Sequence, residues 1–253
     1  MDLGLKGLRA VVTGSTKGIG RRAADIFADE GASVAICARN PDEVKAAVAS
    51  LKAKGVGAFG QTVDVADRAA LERFIADSAN ALGGVDILVA NVSALAAQGK
   101  LEDWQKAFDV DMMHTVYAVN AALPFLKESA HPSIVIISSV SGREVDFAGP
   151  AYGAMKAALI HYAKRIAFEY APKMIRVNSV SPGNTYFEGG FWPTVEKNIP
   201  ELFAKALALN PTGRMATAEE VGRGIVFLAS PASSFTTGTN LVIDGALTRG
   251  VQF

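Results

Sequence analysis

The sequence contains few of the residues that build cross-links and metal centres. Its 253 residues include one cysteine and three histidines. A single cysteine excludes an intramolecular disulfide, and so few histidines argue against a structural zinc site. Cys37 follows Val34, Ala35 and Ile36, which indicates a thiol buried in a strand. We therefore predict no metal ligands in this chain.

Neither sign of charge is in excess, and no long hydrophobic segment is present. Lys+Arg and Asp+Glu number 25 each, so no global charge draws the chain to nucleic acid or to an anionic membrane. No apolar run approaches the roughly 18 residues of a membrane span, and the N-terminal segment lacks a signal-peptide core. We predict a cytoplasmic protein that binds neither nucleic acid nor membrane.

What the sequence does have is a regular alternation of short apolar and longer amphipathic segments. The apolar segments are 10–13, 33–38, 58–63, 87–90, 134–138, 175–180 and 241–243. They are apolar on both faces, which is typical of parallel strands covered by helices on both sides. No repeat or linker interrupts the pattern. It predicts one α/β domain over 1–253, a doubly wound parallel sheet of the Rossmann type with about seven strands.

Three polar residues near the middle of the chain indicate acid/base chemistry. Tyr152 and Lys156 lie four residues apart in a helical segment, so their side chains leave the same helix face. An ammonium one turn away favours the phenolate form of a tyrosine. Ser139 follows a buried strand, at the sheet edge where open α/β sheets bind ligands. Together these groups can move a proton onto or off a carbonyl oxygen.

A glycine-rich turn between the first strand and the first helix predicts a nucleotide site. Such turns aim backbone N–H groups at a phosphate on the helix N-terminus. The predicted contacts are Gly14, Ser15, Thr16, Lys17, Gly18, Ile19 and Gly20. The second strand is followed by Arg39 and Asn40, without the acid that usually accepts the ribose 2′-hydroxyl of NAD. Lys17 and Arg39 suit a 2′-phosphate, so we expect NADP(H) rather than NAD(H).

Together these motifs resemble the short-chain dehydrogenase/reductase family over nearly the whole chain. Residues 13–20 resemble its Thr-Gly-x-x-x-Gly-x-Gly cofactor loop, and Ser139, Tyr152 and Lys156 fall at its catalytic spacing. Three further motifs are similar: Asp64 and Val65 beside the adenine, Pro182 and Gly183 over the nicotinamide, and residues 243–245 near the end. The resemblance implies that Tyr152 is the acid/base. It also implies that Ser139 orients the substrate oxygen and that Lys156 binds the nicotinamide ribose.

The chain departs from the family at three places. The family's Asn-Asn-Ala-Gly segment reads Ala-Asn-Val-Ser here and keeps only Asn91 as its second asparagine. The catalytic asparagine of the family, whose main-chain carbonyl holds a water, aligns with Asp111. We expect that carbonyl to serve the same proton relay, and a purely structural Asp111 is the alternative. The family's threonine after Pro-Gly is Phe187, so we assign the nicotinamide amide contact to Thr185.

Residues 184–210 form the segment that, by resemblance, closes over the substrate. Its aromatic residues imply an apolar or ring-containing substrate, and Tyr186, Phe191 and Trp192 are the predicted contacts. Arg143, just past the catalytic strand, is a further candidate, with an ion pair to Glu144 as the alternative. The helical residues of this segment, Ile199, Leu202, Phe203 and Leu207, are expected to pack it onto the body.

The resemblance implies an NADP(H)-dependent enzyme that interconverts a ketone and a secondary alcohol. A 3-oxoacyl-thioester reductase is an alternative within the same class. A cofactor-binding regulator with weak catalysis is an alternative from another class, supported only by Asp111 and the altered Asn91 segment. The two central helices, at about 103–127 and 150–171, carry more apolar surface than one sheet needs. This surplus predicts a homotetramer or homodimer.

Overall fold

The computed structural model describes residues 2–96 and 98–251. Seven parallel strands form one twisted sheet, in the spatial order β3-β2-β1-β4-β5-β6-β9. Their bounds are β1 Arg9–Thr13, β2 Ser33–Ala38, β3 Ala58–Thr62, β4 Ile87–Ala90, β5 Ser133–Ile137, β6 Arg176–Pro182 and β9 Asn240–Ile243. The predicted doubly wound Rossmann-type sheet is confirmed. Of the predicted domain 1–253, residues 1, 97, 252 and 253 lie outside the described residues.

The order of the strands reverses between β1 and β4, which creates a crevice at their carboxyl ends. Helices cover both faces of the sheet. They are α1 Gly18–Asp29, α2 Pro41–Lys52, α3 Arg68–Leu82, α4 Leu101–Ala107, α5 His114–Leu126, α6 Pro150–Tyr170 and α9 Ala218–Ala229. One hydrophobic cluster joins the sheet to α3, α5 and α6, and a second joins it to α1, α2 and α9. Every strand on the crevice is therefore packed from both sides.

Two helix starts follow directly from local sequence. The Asn40 side chain accepts hydrogen bonds from the backbone N–H groups of Asp42 and Glu43, at the start of α2. Thr217 and Glu220 form a capping box at the start of α9. Each cap satisfies donors that the first helical turn leaves unpaired. Both caps agree with the sequence.

The predicted central helix at 103–127 contains a turn that periodicity did not indicate. It begins at Leu101, and a π-helical turn, Phe108–Met113, separates α4 from α5. In that turn the backbone N–H of His114 bonds the carbonyl of Asp109, five residues back. Turns of this kind are rare and frequently mark functional sites. This one contains Asp111.

The segment 184–210 has its own small core. A two-residue strand, β7 Thr185–Tyr186, pairs with β8, Ala216–Thr217. Two helices follow, α7 Phe191–Asn198 and α8 Pro200–Ala208. Trp192, Val195, Ala206 and Met215 are buried together, and Leu202, Phe203 and Leu207 pack against them. Ile199, expected in the same packing, is exposed.

Within residues 2–96 and 98–251, no helix has both the length and the apolar surface needed to cross a bilayer.

Candidate active site

The turn after Ser139 packs closely against helix α6, which carries Tyr152, at two glycines. Ser139 precedes a 3-10 turn, Val140–Gly142, that lies against α6. A Cβ on Gly142 would lie 2.5 Å from the carbonyl carbon of Lys156, and one on Gly153 would lie 2.9 Å from the Ser141 carbonyl oxygen. Only glycine permits contacts this short. The buried hydroxyl of Ser138 also donates to the Lys156 carbonyl at 2.7 Å.

The lysine of the predicted set is buried inside the fold. Lys156 is 2% exposed, and its Nζ donates to the Ile137 carbonyl at the end of β5, at 3.1 Å. The Nζ also lies 5.6 Å from the centre of the Tyr152 ring, which is half-buried. Lysine carries three N–H donors. The ammonium is therefore fixed beside the phenol while a donor remains for a ligand.

The π-helical turn brings the side chain of Asp111 to this lysine. Oδ1 lies 3.0 Å from Lys156 Nζ, and both side chains are almost fully buried. Among the described residues no donor is aligned for a hydrogen bond with Oδ1, so the contact is ionic. Oδ2 accepts from the Ala94 backbone N–H at 3.0 Å. The Asp111 main-chain carbonyl accepts the Thr115 hydroxyl at 2.8 Å.

His114 connects the same turn to the first strand. Its Nδ1 lies 3.1 Å from the Val110 carbonyl and therefore donates to it. Its Nε2 lies 3.0 Å from Thr13 Oγ1, and that hydroxyl accepts the Asn91 backbone N–H. Burial lowers the pKa of His114 to about 4, so the ring is neutral near pH 7. The histidine holds the π-helical turn that contains Asp111.

Asn91 shapes the glycine turn. Its Nδ2 donates to the carbonyls of Thr13 and Gly14, at 3.1 and 3.0 Å. A Cβ at Gly20 would lie 2.6 Å from the Gly14 carbonyl oxygen, so the turn closes tightly there. The turn is thus held in place from the end of β4.

Four residues predicted in this turn differ in what they offer to a ligand. The buried hydroxyl of Ser15 donates to the Val12 carbonyl at 2.6 Å, so it faces the strand. Ile19 packs into the core that joins α1 to the sheet. Thr16 and Lys17 face the opening of the crevice. The turn presents backbone N–H groups and these two side chains to a ligand.

A cavity of about 400 Å³ extends from the glycine turn across the ends of β2 and β3. Its lining includes Gly14, Thr16, Lys17, Arg39, Asn40, Glu43, Asp64, Val65 and Lys106. Arg39 is exposed at the rim, and Cys37, the single thiol, lines the cavity floor. Burial raises the pKa of that thiol to about 12. An apolar floor between a glycine cradle and three cations fits the adenosine phosphate half of a dinucleotide.

The opposite wall of the crevice is built by the Pro182-Gly183 turn after β6. The Gly183 N–H donates to the Ile243 carbonyl of β9, at 2.9 Å. The Thr185 hydroxyl donates to the Gly183 carbonyl, at 3.0 Å. The ring of Phe187 reaches across to the glycine turn, where a Cβ on Gly18 would lie 2.6 Å from it. Phe187 therefore joins the segment 184–210 to the cofactor loop.

The predicted substrate residues are placed unequally. Phe191 is exposed, whereas Trp192 is 5% exposed and belongs to the core of its own segment. Trp192 contacts Phe147 edge-on at 5.6 Å between ring centres. Tyr186 is exposed and donates its hydroxyl to Glu196 Oε2, at 2.5 Å. Aromatic groups from both sides of the cleft thus meet at Trp192.

Arg143 does not join that aromatic group. Its Nη1 donates to Asn240 Oδ1 at 3.1 Å, at the first residue of β9. Asn240 pairs with Ser179 of β6, which pairs with Ile136 near the carboxyl end of β5, so Arg143 is bonded to the sheet close to the edge on which Ser139 lies. Glu144, instead of pairing with Arg143, accepts the Gly250 N–H at 2.6 Å.

Sequence reasoning missed four residues of this site. Glu43 and Lys106 line the cavity, His114 holds the π-helical turn, and Phe147 meets Trp192. Glu43 had a usable signal, because the side chains of a helical first turn point back towards its N-terminus. The other three depend on which elements pack together, and local sequence does not state this.

Comparison with known proteins identifies the family. A family model described as enoyl-(acyl carrier protein) reductase matches residues 14–248. An isoepoxydon dehydrogenase of Penicillium expansum is 37% identical over 259 residues, covering 100% of this chain and 99% of the relative. The chain belongs to the short-chain dehydrogenase/reductase family, and it is an oxidoreductase of that family. The predicted resemblance is confirmed.

Solved structures agree with this assignment. L-sorbose reductase from Gluconobacter frateurii, in complex with NADPH and L-sorbose, matches with a TM-score of 0.91 at 29% identity, covering 99% of this chain and 100% of that one. An NADPH-bound short-chain oxidoreductase from Pseudomonas aeruginosa PAO1 matches with a TM-score of 0.88 at 30% identity, covering 96% and 98%. That enzyme is described as containing an atypical catalytic centre.

Proposed function

We propose that the chain is an NADP(H)-dependent oxidoreductase that interconverts a ketone and a secondary alcohol, with Tyr152 as the acid/base. The observation that carries this proposal is the buried ammonium of Lys156 beside the Tyr152 ring. Burial of an ammonium is costly unless it is paired, and Asp111 supplies the partner charge here. Here the ammonium is held where it stabilises the charge left on a phenol that has given up its proton.

In the direction of reduction, each residue has a defined task. Ser139 donates a hydrogen bond to the carbonyl oxygen and orients it. Tyr152 then transfers its hydroxyl proton to that oxygen, and Lys156 stabilises the resulting phenolate. A nicotinamide held in the crevice would supply the hydride to the carbonyl carbon. The products would be the alcohol, the oxidised nicotinamide and a tyrosinate that recovers a proton from solvent. Oxidation would run the same steps in reverse.

The residues of the crevice support NADP(H) as the cofactor. Lys17 and Arg39 flank the cavity next to the end of β2, where a ribose 2′-phosphate needs cations. Asp64 and Val65 border the adenine side, and Pro182, Gly183 and Thr185 border the nicotinamide side. Two matching structures were solved with NADPH. We assign Asn40 and Asn91 to positioning, since both bond to backbone.

The substrate class follows from the aromatic group above the cleft. Phe147 and Phe191 contact Trp192 edge-on, and Tyr186 contacts Phe203, which in turn contacts Trp192. We therefore propose an apolar or ring-containing ketone. We propose that Asp111 serves the proton relay in two ways. Its main-chain carbonyl would hold the relay water, and its side-chain carboxylate pairs with Lys156. The test measures NADPH consumption with a panel of ketones, sugars and a 3-oxoacyl thioester. Its result distinguishes a ketone reductase from a 3-oxoacyl-thioester reductase.

Tyr152→Phe tests the proposed chemistry. We expect turnover to fall about 10²–10⁴-fold, because the variant has no proton to transfer. The dissociation constant for NADPH, measured by calorimetry, should change by less than about three-fold. Tyr162→Phe, on the same helix, is the matched control and should retain turnover. Retained turnover in Tyr152→Phe would refute the assigned role.

A further inference from the structure

The cofactor cavity contains a carboxylate in contact with one of its predicted phosphate ligands. Glu43 Oε1 lies 2.7 Å from Lys17 Nζ, and Glu43 Oε2 accepts the Thr16 hydroxyl at 3.0 Å. Both partners belong to the glycine turn. The hydrogen bond from Lys17 lowers the pKa of the Glu43 carboxyl, which is therefore ionised near pH 7. The lysine expected to meet a 2′-phosphate is already paired.

The position of Glu43 is set by the start of α2. Asn40 caps that helix and takes the backbone N–H groups of Asp42 and Glu43. The Glu43 carboxylate is then not needed as a cap, and it turns back across the cavity to the glycine loop. No acid follows directly after β2, which ends at Ala38, but Glu43 of α2, five residues later, brings a carboxylate to the same cavity.

A carboxylate in this position affects the two nicotinamide cofactors differently. A ribose 2′-phosphate needs the Lys17 ammonium and is repelled by an adjacent anion. A ribose 2′-hydroxyl, in contrast, donates a hydrogen bond, and a carboxylate accepts it. Arg39 forms no ion pair within residues 2–96 and 98–251, so it remains available to a phosphate. Of the two cations predicted to bind the 2′-phosphate, Lys17 is paired with Glu43 and Arg39 is not.

We propose that Glu43 is a specificity-determining residue, which competes with the 2′-phosphate for Lys17 and so limits the preference for NADP(H) over NAD(H). This inference rests on the proposed function, because it concerns the same cofactor site. When NADPH binds, Lys17 exchanges the carboxylate for the phosphate. When NADH binds, Glu43 keeps Lys17 and supplies an acceptor for the ribose.

The test is calorimetric titration of wild-type protein and Glu43→Gln with NADPH and with NADH. We expect the variant to bind NADPH about five-fold more tightly, the effect of removing one partly exposed ion pair. Its affinity for NADH should change less than two-fold, because the glutamine amide oxygen still accepts a hydrogen bond. Glu72→Gln, which breaks the exposed Arg68–Glu72 pair on α3, is the matched control for net charge.

Two further titrations isolate the phosphate and the lysine. Adenosine 2′,5′-bisphosphate and adenosine 5′-monophosphate carry the two ribose forms without the nicotinamide, and only the first should gain affinity in Glu43→Gln. In a Lys17→Met background the gain should shrink, because no lysine remains for the two anions to share.

The outcomes separate this inference from the proposed function. If wild-type protein binds neither NADPH nor NADH, the proposed function fails. If wild-type protein binds NADPH but Glu43→Gln binds it equally or more weakly, the function stands and Glu43 is not a competitor. Weaker binding would show instead that Glu43 holds Lys17 in place for the phosphate.

Discussion

At the scale of single residues, the ion pair between Asp111 and Lys156 is the main departure from the family's pattern. Both side chains are buried, and each ion has lost most of its contact with water. Such pairs stabilise a fold weakly, but removal of one partner leaves an uncompensated buried charge. The pair therefore fixes the position of the ammonium more than it contributes to stability. In this chain a carboxylate oxygen of Asp111 lies 3.0 Å from Lys156 Nζ.

The buried imidazole of His114 predicts a specific dependence of stability on pH. The pKa of His114 is about 4 in the folded protein, below its ordinary value of 6.5. Below pH 6.5 the unfolded chain binds a proton that the folded chain does not. The contribution of neutral His114 to the free energy of unfolding is therefore fully present above pH 6.5. It is lost as the pH falls towards 4, by about 3 kcal/mol.

Denaturant unfolding at a series of pH values between 4 and 7 measures this loss. His114→Gln should be less stable at pH 7 but should lack most of the slope in that window. His131→Gln, at an exposed histidine outside α5 and α6, is the control and should keep the wild-type slope. Equal slopes in wild-type protein and His114→Gln would contradict the assignment.

At the scale of elements, the catalytic group depends on how closely the turn after β5 approaches α6. Gly142 makes that approach against backbone atoms, which cannot rotate out of the way. This backbone contact positions the Ser139 turn against the helix that carries Tyr152. The local sequence does not indicate such a contact.

Gly142→Ala tests the role of this close approach. The added methyl would lie 2.5 Å from the Lys156 carbonyl carbon, so the serine turn must move away from α6. We expect turnover to fall at least about ten-fold with NADPH affinity nearly unchanged, since small displacements of reacting groups are costly. The free energy of unfolding should fall by about 1–3 kcal/mol. The control is Gly57→Ala, in which the methyl meets the Ser33 hydroxyl, a side chain that can rotate, so turnover should be retained.

Wild-type turnover in Gly142→Ala would contradict the proposed role of this close approach.

The elements that the sequence predicted well are those whose signal is local. The strands from Ser33 and from Ile87 are apolar on both faces, and α2 begins at an asparagine cap followed by proline. Tyr152 and Lys156 share a helix face by spacing alone. The π-helical turn, in contrast, is tied to the first strand by the contact of His114 with Thr13, one hundred and one residues away. Periodicity cannot contain such a contact, and the same holds for the pairing of Glu43 with Lys17.

At the scale of the whole molecule, α6 exposes apolar surface that the sheet does not cover. Phe168 on α6 is 77% exposed, and Tyr117, Leu123 and Phe125 on α5 are only half-buried. Exposed apolar side chains on adjacent helices are typical of contacts between subunits. The predicted homotetramer or homodimer through these two helices remains a prediction.

Phe168→Glu tests that prediction. Light scattering coupled to size-exclusion chromatography should give a dimer or tetramer for wild-type protein and a smaller mass for the variant, because a carboxylate in an apolar interface is desolvated without a partner. Leu209→Glu, at an exposed leucine outside α5 and α6, should keep the wild-type mass. A wild-type monomer, or an unchanged mass in Phe168→Glu, would exclude this interface.

The placement of β9 has a consequence for the order in which the protein is made. The wall of the crevice at Pro182-Gly183 is held by the Ile243 carbonyl, from the last strand of the chain. During synthesis the glycine turn, Ser139 and Tyr152 all leave the ribosome before that strand does. Pairing between distant strands forms slowly, because loop closure comes first. A nascent chain therefore holds every catalytic side chain well before it can close its cofactor site, and activity is among the last properties that the protein acquires.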